Sequence, residues 1–194
     1  MSKSIGNQIY SLAELLWPIN RSITGNGIRE TLRIIKKNHI PGLKIKSVAS
    51  GSKAFDWTVP KEWEIDDAYI IDPKGKKICN FKENNLHVVN YSMPVNKEVK
   101  LEELDKHLYS LPEEPNAIPY ITSYYKEQWG FCIQHKLRKR LIKGKYRVCI
   151  KSKLFKGNLN YGEVILKGKK KKEILLSTYI CHPSLANNEL SGPT

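Results

Sequence analysis

Residues 173–194 read EILLSTYIC, then HPS, then LANNELSGPT, and the placing of this stretch decides the fold. After Glu173 the chain carries no charge before His182, and Ile, Leu, Thr, Tyr and Cys dominate. That composition predicts a strand buried on both faces of a sheet over residues 173–181. Pro183 has no amide hydrogen to give to a ladder, so the chain is expected to leave the sheet at His182-Pro183. His182 would then stand at the carboxyl end of a central strand, where open α/β sheets keep their ligands. Asn187, Asn188 and Glu189 follow, and Ser191-Gly192 opens a candidate helix. A His, two Asn and a Glu grouped at a strand end are candidate metal ligands, or candidates to orient such ligands.

Working back from this stretch, residues 146–152 and 162–166 read as two further strands. The lysine run from Lys167 to Lys172 would be the solvated tip between the last two of the three. At the other end of the chain Ile5, Ile9, Leu12, Leu15 and Leu16 recur at helical spacing, and Pro18 ends that helix near Trp17. Asn20 to Gly27 holds two glycines, two hydroxyls and two Asn, which predicts a tight loop. A second helix follows from about Ile28, with Ile28, Leu32 and Ile35 on its apolar face. Glycines leading into a helix start fit either a cap or an anion cradle. Residues 43–48 alternate as a strand.

Between residues 50 and 150 helical periodicity largely disappears. Strand candidates at 57–59, 68–71, 77–81, 86–91 and 130–133 are separated by turn signals such as Asp72-Pro73-Lys74-Gly75. Only residues 101–108 read as helix, from Leu101, Leu104 and Leu108. Tyr120, Tyr124, Tyr125, Trp129 and Phe131 cluster here and are expected to form core or domain interface rather than a base-stacking platform. A helical start, a β-rich middle and a return to a buried strand predict an α/β domain that brackets a smaller one.

Composition narrows the function classes. Of 194 residues 40% are hydrophobic, enough for one large domain or two small ones. No stretch approaches the roughly 18 apolar residues of a membrane span. The opening MSKSIGNQIY is polar, unlike a secretory signal, so the expected compartment is the cytoplasm. Cys79, Cys132, Cys149 and Cys181 form no CxxC pair and read as free thiols. The net charge of +14 comes from 33 Lys and Arg against 19 Asp and Glu. The lysines are spread along the chain, which fits solvated surface better than a nucleic-acid site.

Four stretches carry a resemblance: WPINRSITGNGIRETL (17–32), FDWTVPKEWEI (55–65), PYITSYYKEQWGFC (119–132) and CHPSLANNELSGP (181–193). Together they resemble a bacterial family of aminopeptidase-like proteins with an inserted domain and a C-terminal winged helix. That family is related to the co-catalytic zinc aminopeptidases. The resemblance implies an α/β fold, the first half of a zinc-aminopeptidase-like mixed-sheet domain with an inserted β-rich lobe. Residues 1–54 and 146–194 would form the host domain and residues 55–145 the insert. Family members continue past the position of Thr194, so the chain is expected to correspond to their amino-terminal portion.

The implied chemistry is metal-dependent hydrolysis of a peptide or other amide bond, with the metal site expected to be only partial in this chain. Zinc, as one or two ions in the complete protein, activates a water and polarises the carbonyl in such sites. By resemblance His182 falls on the first zinc ligand. Asn188 falls where the wider zinc aminopeptidases carry a bridging Asp, and Ser184 where they carry an Asp that orients the metal-binding His. An Asn lends a carbonyl oxygen but no charge, so the adjacent Glu189 is the alternative ligand. Asn187 stands beside them as an orienting group. His39, His87, His107 and His135 have no such context and read as structural or exposed. A non-catalytic binding module on the same scaffold is the alternative, suggested by Asn188 and Ser184. A basic nucleic-acid-binding protein is the third and least favoured reading. The expected partner is a peptide or amide substrate; no membrane is expected, and a homo-oligomer fits an apolar strand left bare.

Overall fold

The computed structural model describes residues 4–170, 172–185, 190 and 192. Ser4 caps the first helix by accepting the Asn7 amide on its hydroxyl oxygen at 3.3 Å, which occupies one of the donors a helix start leaves open. From there α1 (Ile5–Leu16) leads to α2 (Asn26–Asn38), then β1 (Lys44–Ala49), β2 (Lys53–Ala54) and β3 (Trp57–Thr58). β4 (Glu62–Ile71), β5 (Lys77–Ile78), β6 (Val95–Lys100), α3 (Leu101–Leu104), β7 (Leu108–Tyr109) and β8 (Phe131–Cys132) follow. α4 (His135–Arg138), β9 (Lys145–Phe155) and β10 (Asn158–Glu163) complete the order. This is a mixed α/β protein with several small sheets. Among the described residues no helix is long and apolar enough to cross a membrane.

The chain divides into two compact units, residues 1–62 with 156–194 and residues 63–155. In the first, β1 pairs antiparallel with β10, from Lys44 opposite Glu163 to Ala49 opposite Asn158. The loop before α2 depends on its glycines. Gly25 has φ +93°, and a Cβ on Gly27 would lie 1.9 Å from the Asn20 carbonyl oxygen. Ile28, Leu32 and Ile35 of α2, Leu12 and Leu16 of α1, Leu43 and Leu190 form the core of this unit. The helical spacing of α2 thus gave its buried face correctly. On α1 only Leu12 and Leu16 are buried, and Ile5 and Leu15 face solvent. Arg29 of α2 reaches the Glu62 carboxylate at 2.6 Å, and Glu62 also accepts the Asn158 amide at 2.9 Å.

The second unit is built on a four-stranded sheet ordered β5-β4-β9-β6. β6 runs antiparallel to β9, from Val95 opposite Ile150 to Lys100 opposite Lys145. Tyr146, Val148 and Ile150 of β9 and Ala68 and Ile70 of β4 are buried, as the period of two requires. β6 lies at the sheet's edge and carries Lys97, Glu98 and Lys100, charges that discourage pairing with another chain. The Trp63 indole donates to the Ser92 carbonyl at 2.9 Å and stacks on Tyr91. A short parallel pair, β7 with β8, sets Leu108 beside Phe131. The helix expected over 101–108 is one α turn followed by a 3-10 turn, Asp105–His107, and β7.

The buried strand expected over residues 173–181 is not formed. These residues have no ladder partner among the described residues, and Ile174, Leu175 and Leu176 are 91%, 88% and 90% exposed. A strand needs a neighbour to take its amide and carbonyl groups. Apolar side chains report a preference for burial without supplying that neighbour. The strand expected at 162–166 lies earlier, at Asn158–Glu163, because its partner is β1. Lys167, Lys169, Lys170 and Lys172 therefore sit outside any hairpin among the described residues.

Candidate functional site

The segment before His182 is extended and exposed until Ile180, where it meets the first unit's core. Ile180 and Cys181 pack against the cluster formed by α1, α2, Leu43 and Leu190. Two adjacent apolar contacts fix the chain here, and His182 is the next residue. Its imidazole is half-buried and meets the Tyr179 ring edge-on, with centroids 5.9 Å apart and planes at 78°. The ring is thus held on one side by an aromatic neighbour and retains access to solvent.

The chain turns sharply after His182. Pro183 and Ser184 are buried, and Ser184 has φ +48°, a left-handed conformation uncommon for a residue with a Cβ. Its hydroxyl donates to the Trp17 carbonyl at 3.4 Å, just past the end of α1. That carbonyl has no partner inside the helix, so the contact ties the turn to the helix end. Gly192 returns to the start of the segment: a Cβ there would lie 2.4 Å from Thr178 Oγ1. The two ends of the stretch 178–192 therefore meet, with His182 between them.

Asn187, Asn188 and Glu189 lie outside the described residues. Among the described residues no three His, Cys, Asp or Glu side chains come together as a metal cluster. His182 is accordingly one partly accessible imidazole donor, suited to a divalent metal in its neutral form. Among the described residues it does not belong to a group of three such side chains. Ser184, expected to orient the histidine, is seen with its hydroxyl on Trp17.

Three of the four other expected structural histidines spend a ring nitrogen locally. Nδ1 of His87 meets the Cys132 carbonyl at 2.8 Å, and Nδ1 of His107 meets the Trp129 carbonyl at 3.0 Å. Nδ1 of His135 lies 3.0 Å from the Ser110 hydroxyl. His39 follows α2 as its C-cap. The aromatic cluster is packed within the second unit: Tyr124 meets Tyr91 edge-on and shares a hydroxyl hydrogen bond with Tyr120, and Phe131 is fully buried. The basic run 136–140 is partly structural, since Arg138 binds Asp105 at 2.7 Å. Sequence reasoning missed the Trp17 carbonyl and the approach of Gly192 to Thr178. Both are contacts between distant positions and leave only the weak local trace of a serine and a glycine.

Residues 62–153 match a family model described as a domain of unknown function, DUF2172. Over 191 residues the chain is 53% identical to a Clostridium acetobutylicum protein. That protein is named, provisionally, a polysaccharide biosynthesis protein with an aminopeptidase-like domain; the alignment covers 98% of this chain and 44% of the relative. A crystal structure from the same organism, titled provisionally a peptidase, superposes with a TM-score of 0.92 at 54% identity. It covers 96% of this chain and 44% of that one. The chain thus spans less than half the length of the relatives it matches.

Proposed function

We propose that this chain contributes to a metal-dependent, aminopeptidase-like hydrolase acting on a peptide or another amide bond. The observation that carries the reading is His182, a partly accessible imidazole fixed by Ile180 and Cys181 at the head of the sequence HPSLANNELSG. The likeness to proteins named as peptidase and aminopeptidase-like supports the reaction class. In this reading His182 holds a divalent metal, zinc by preference, with Glu189 or Asn188 as a further ligand. Zinc bound there would supply a hydroxide equivalent near neutral pH and a Lewis acid for the substrate carbonyl. His182 contributes a neutral nitrogen donor, and its contact with Tyr179 restricts the orientations of the ring. Pro183 and the left-handed Ser184 hold the chain in its turn directly behind the donor, so the imidazole projects from a fixed backbone. Asn187 would serve to orient the neighbouring ligands.

The reading is tested with leucine p-nitroanilide as a general aminopeptidase substrate. Hydrolysis should be abolished by a chelator, restored by added zinc, and lost in His182→Ala. Hydrolysis indifferent to the chelator, or retained in full by His182→Ala, contradicts it.

A further inference from the structure

The second unit holds a cleft of about 340 Å3 that has no part in the reading above. Its walls come from the turn between β4 and β5, the 3-10 turn ending at His87, and the chain after α4. The volume lies at the small end of ligand sites. Leu137 and Ile142 line it and remain 41% and 42% exposed, while Ile133 and Tyr146 beneath are buried. The cleft therefore has an apolar side left open to solvent.

Its rim is polar and mostly basic. Lys74, Lys76, Lys77 and Arg140 stand against Asp72 and Glu83. The two acids are already engaged. Asp72 Oδ1 accepts the amides of Lys74 at 2.9 Å and Lys76 at 2.8 Å, and Glu83 accepts from the Asn80 side chain at 2.9 Å. Lys77 is spent over the Tyr69 ring, 4.1 Å from its centroid. Lys74, Lys76 and Arg140 have no carboxylate within ion-pair distance among the described residues. Four cations against two carboxylates leave two positive charges over, which matches a dianion.

His87 adds a directional group. Its Nδ1 faces a carbonyl, an acceptor only, so the proton sits on Nδ1 and donates. Nε2 then carries a lone pair, and no hydrogen bond reaches it among the described residues. Burial also pushes the imidazole below its ordinary pKa, which keeps it neutral and an acceptor at pH 7. An acceptor beside a cationic rim asks for a ligand with both a hydroxyl and an anionic group. Arg and Lys together favour phosphate, through fork-shaped hydrogen bonding and point charge respectively.

We propose that this cleft binds a small organic phosphate bearing hydroxyl groups, its phosphate at Lys74, Lys76 and Arg140, a hydroxyl at His87 Nε2, and its carbon skeleton on Leu137 and Ile142. Glucose 6-phosphate, glucose and inorganic phosphate serve as probes, titrated into the full chain and followed through backbone amide shifts. Glucose 6-phosphate should give saturable shifts at residues 74–78 and around His87, with a Kd at least about tenfold tighter than either of the other two. Lys76→Gln and Arg140→Gln lie on the exposed rim, and each should weaken glucose 6-phosphate by about tenfold with an unchanged thermal melt. His87→Asn should weaken glucose 6-phosphate while leaving inorganic phosphate unaffected. The proposal is overturned by an absence of saturable shifts, by shifts centred elsewhere, by equal affinity for inorganic phosphate, or by rim variants that bind as wild type does.

Discussion

Arg29 and Glu62 meet at 2.6 Å although they are far apart in sequence, and the Glu62 side chain is only 4% exposed. Glu62 also accepts the Asn158 amide, and Arg29 also donates to the side chains of Asn26 and Asn160. One pair thus ties α2, the start of β4 and the start of β10 together. Gly157 belongs to the same arrangement, because a Cβ there would lie 2.2 Å from Glu62 Oε2 and 2.7 Å from Glu62 Cβ.

Breaking this pair should be costly. Removing one partner of a buried pair costs roughly 3–5 kcal/mol, and the partial exposure of Arg29 lowers that figure. Arg29→Ala should therefore destabilise by about 1–3 kcal/mol in chemical denaturation. Gly157→Ala should also destabilise, by displacing the carboxylate. Stabilities within error of wild type for both variants would show that solvent replaces the pair.

The cysteines should divide by accessibility. Burial pushes the Cys79 and Cys132 thiols up to about 12, and Cys149 is buried as well. Only Cys181 is half-exposed. The thiolate is the reactive form, so a disulfide reagent at mildly alkaline pH should label Cys181 first. The other three should react only on unfolding. Fast labelling of all four in the native protein would contradict the packing of β8 and β9.

Acid should destabilise the protein in two separate windows. Desolvation holds the His87 imidazole below its ordinary value of 6.5 in the folded state. The unfolded chain then binds more protons there. His87 thus leaves stability at its full value above 6.5, loses it as pH falls below that, and completes the loss once its folded pKa is passed. Asp105 is shifted in the same direction, first by its hydrogen bond to Arg138, from an ordinary value of 3.8, so its contribution disappears only in stronger acid. Denaturation curves across the upper window should flatten in His87→Asn. An unchanged slope there would remove His87 as the cause.

The exposed run Ile174-Leu175-Leu176 should drive self-association. Each apolar square ångström left in water costs about 25 cal/mol, and contiguous apolar patches seek partners. Sedimentation of the 194-residue chain should depend on concentration, and Leu175→Lys should shift it toward monomer. A clean wild-type monomer with one sharp, reversible melt would mean that another surface already covers the run.

Much of the fold was legible where local chemistry decides it. The spacing of Ile28, Leu32 and Ile35 gave α2 and its buried face, and the strand read at 146–152 lies within β9. The apolar run at 173–181 misled because composition cannot state whether a neighbouring strand exists. β10 was displaced for a related reason: its limits come from pairing with β1, more than a hundred residues earlier. At the candidate site His182 and Ser184 were picked out from sequence, but the contact of Ser184 with Trp17 was not. The cleft in the second unit escaped notice because its rim joins Lys74 and Lys76 of the turn between β4 and β5 to Arg140, which lies more than sixty residues later.

The central claim, that His182 holds a metal, is tested most directly by metal content. The full chain and its His182→Ala variant would be loaded with zinc, dialysed and measured by elemental analysis, with circular dichroism to confirm that both are folded. Wild type should retain zinc in stoichiometric proportion, and the variant should lose most of it. Equal metal content in the two folded proteins would contradict the account.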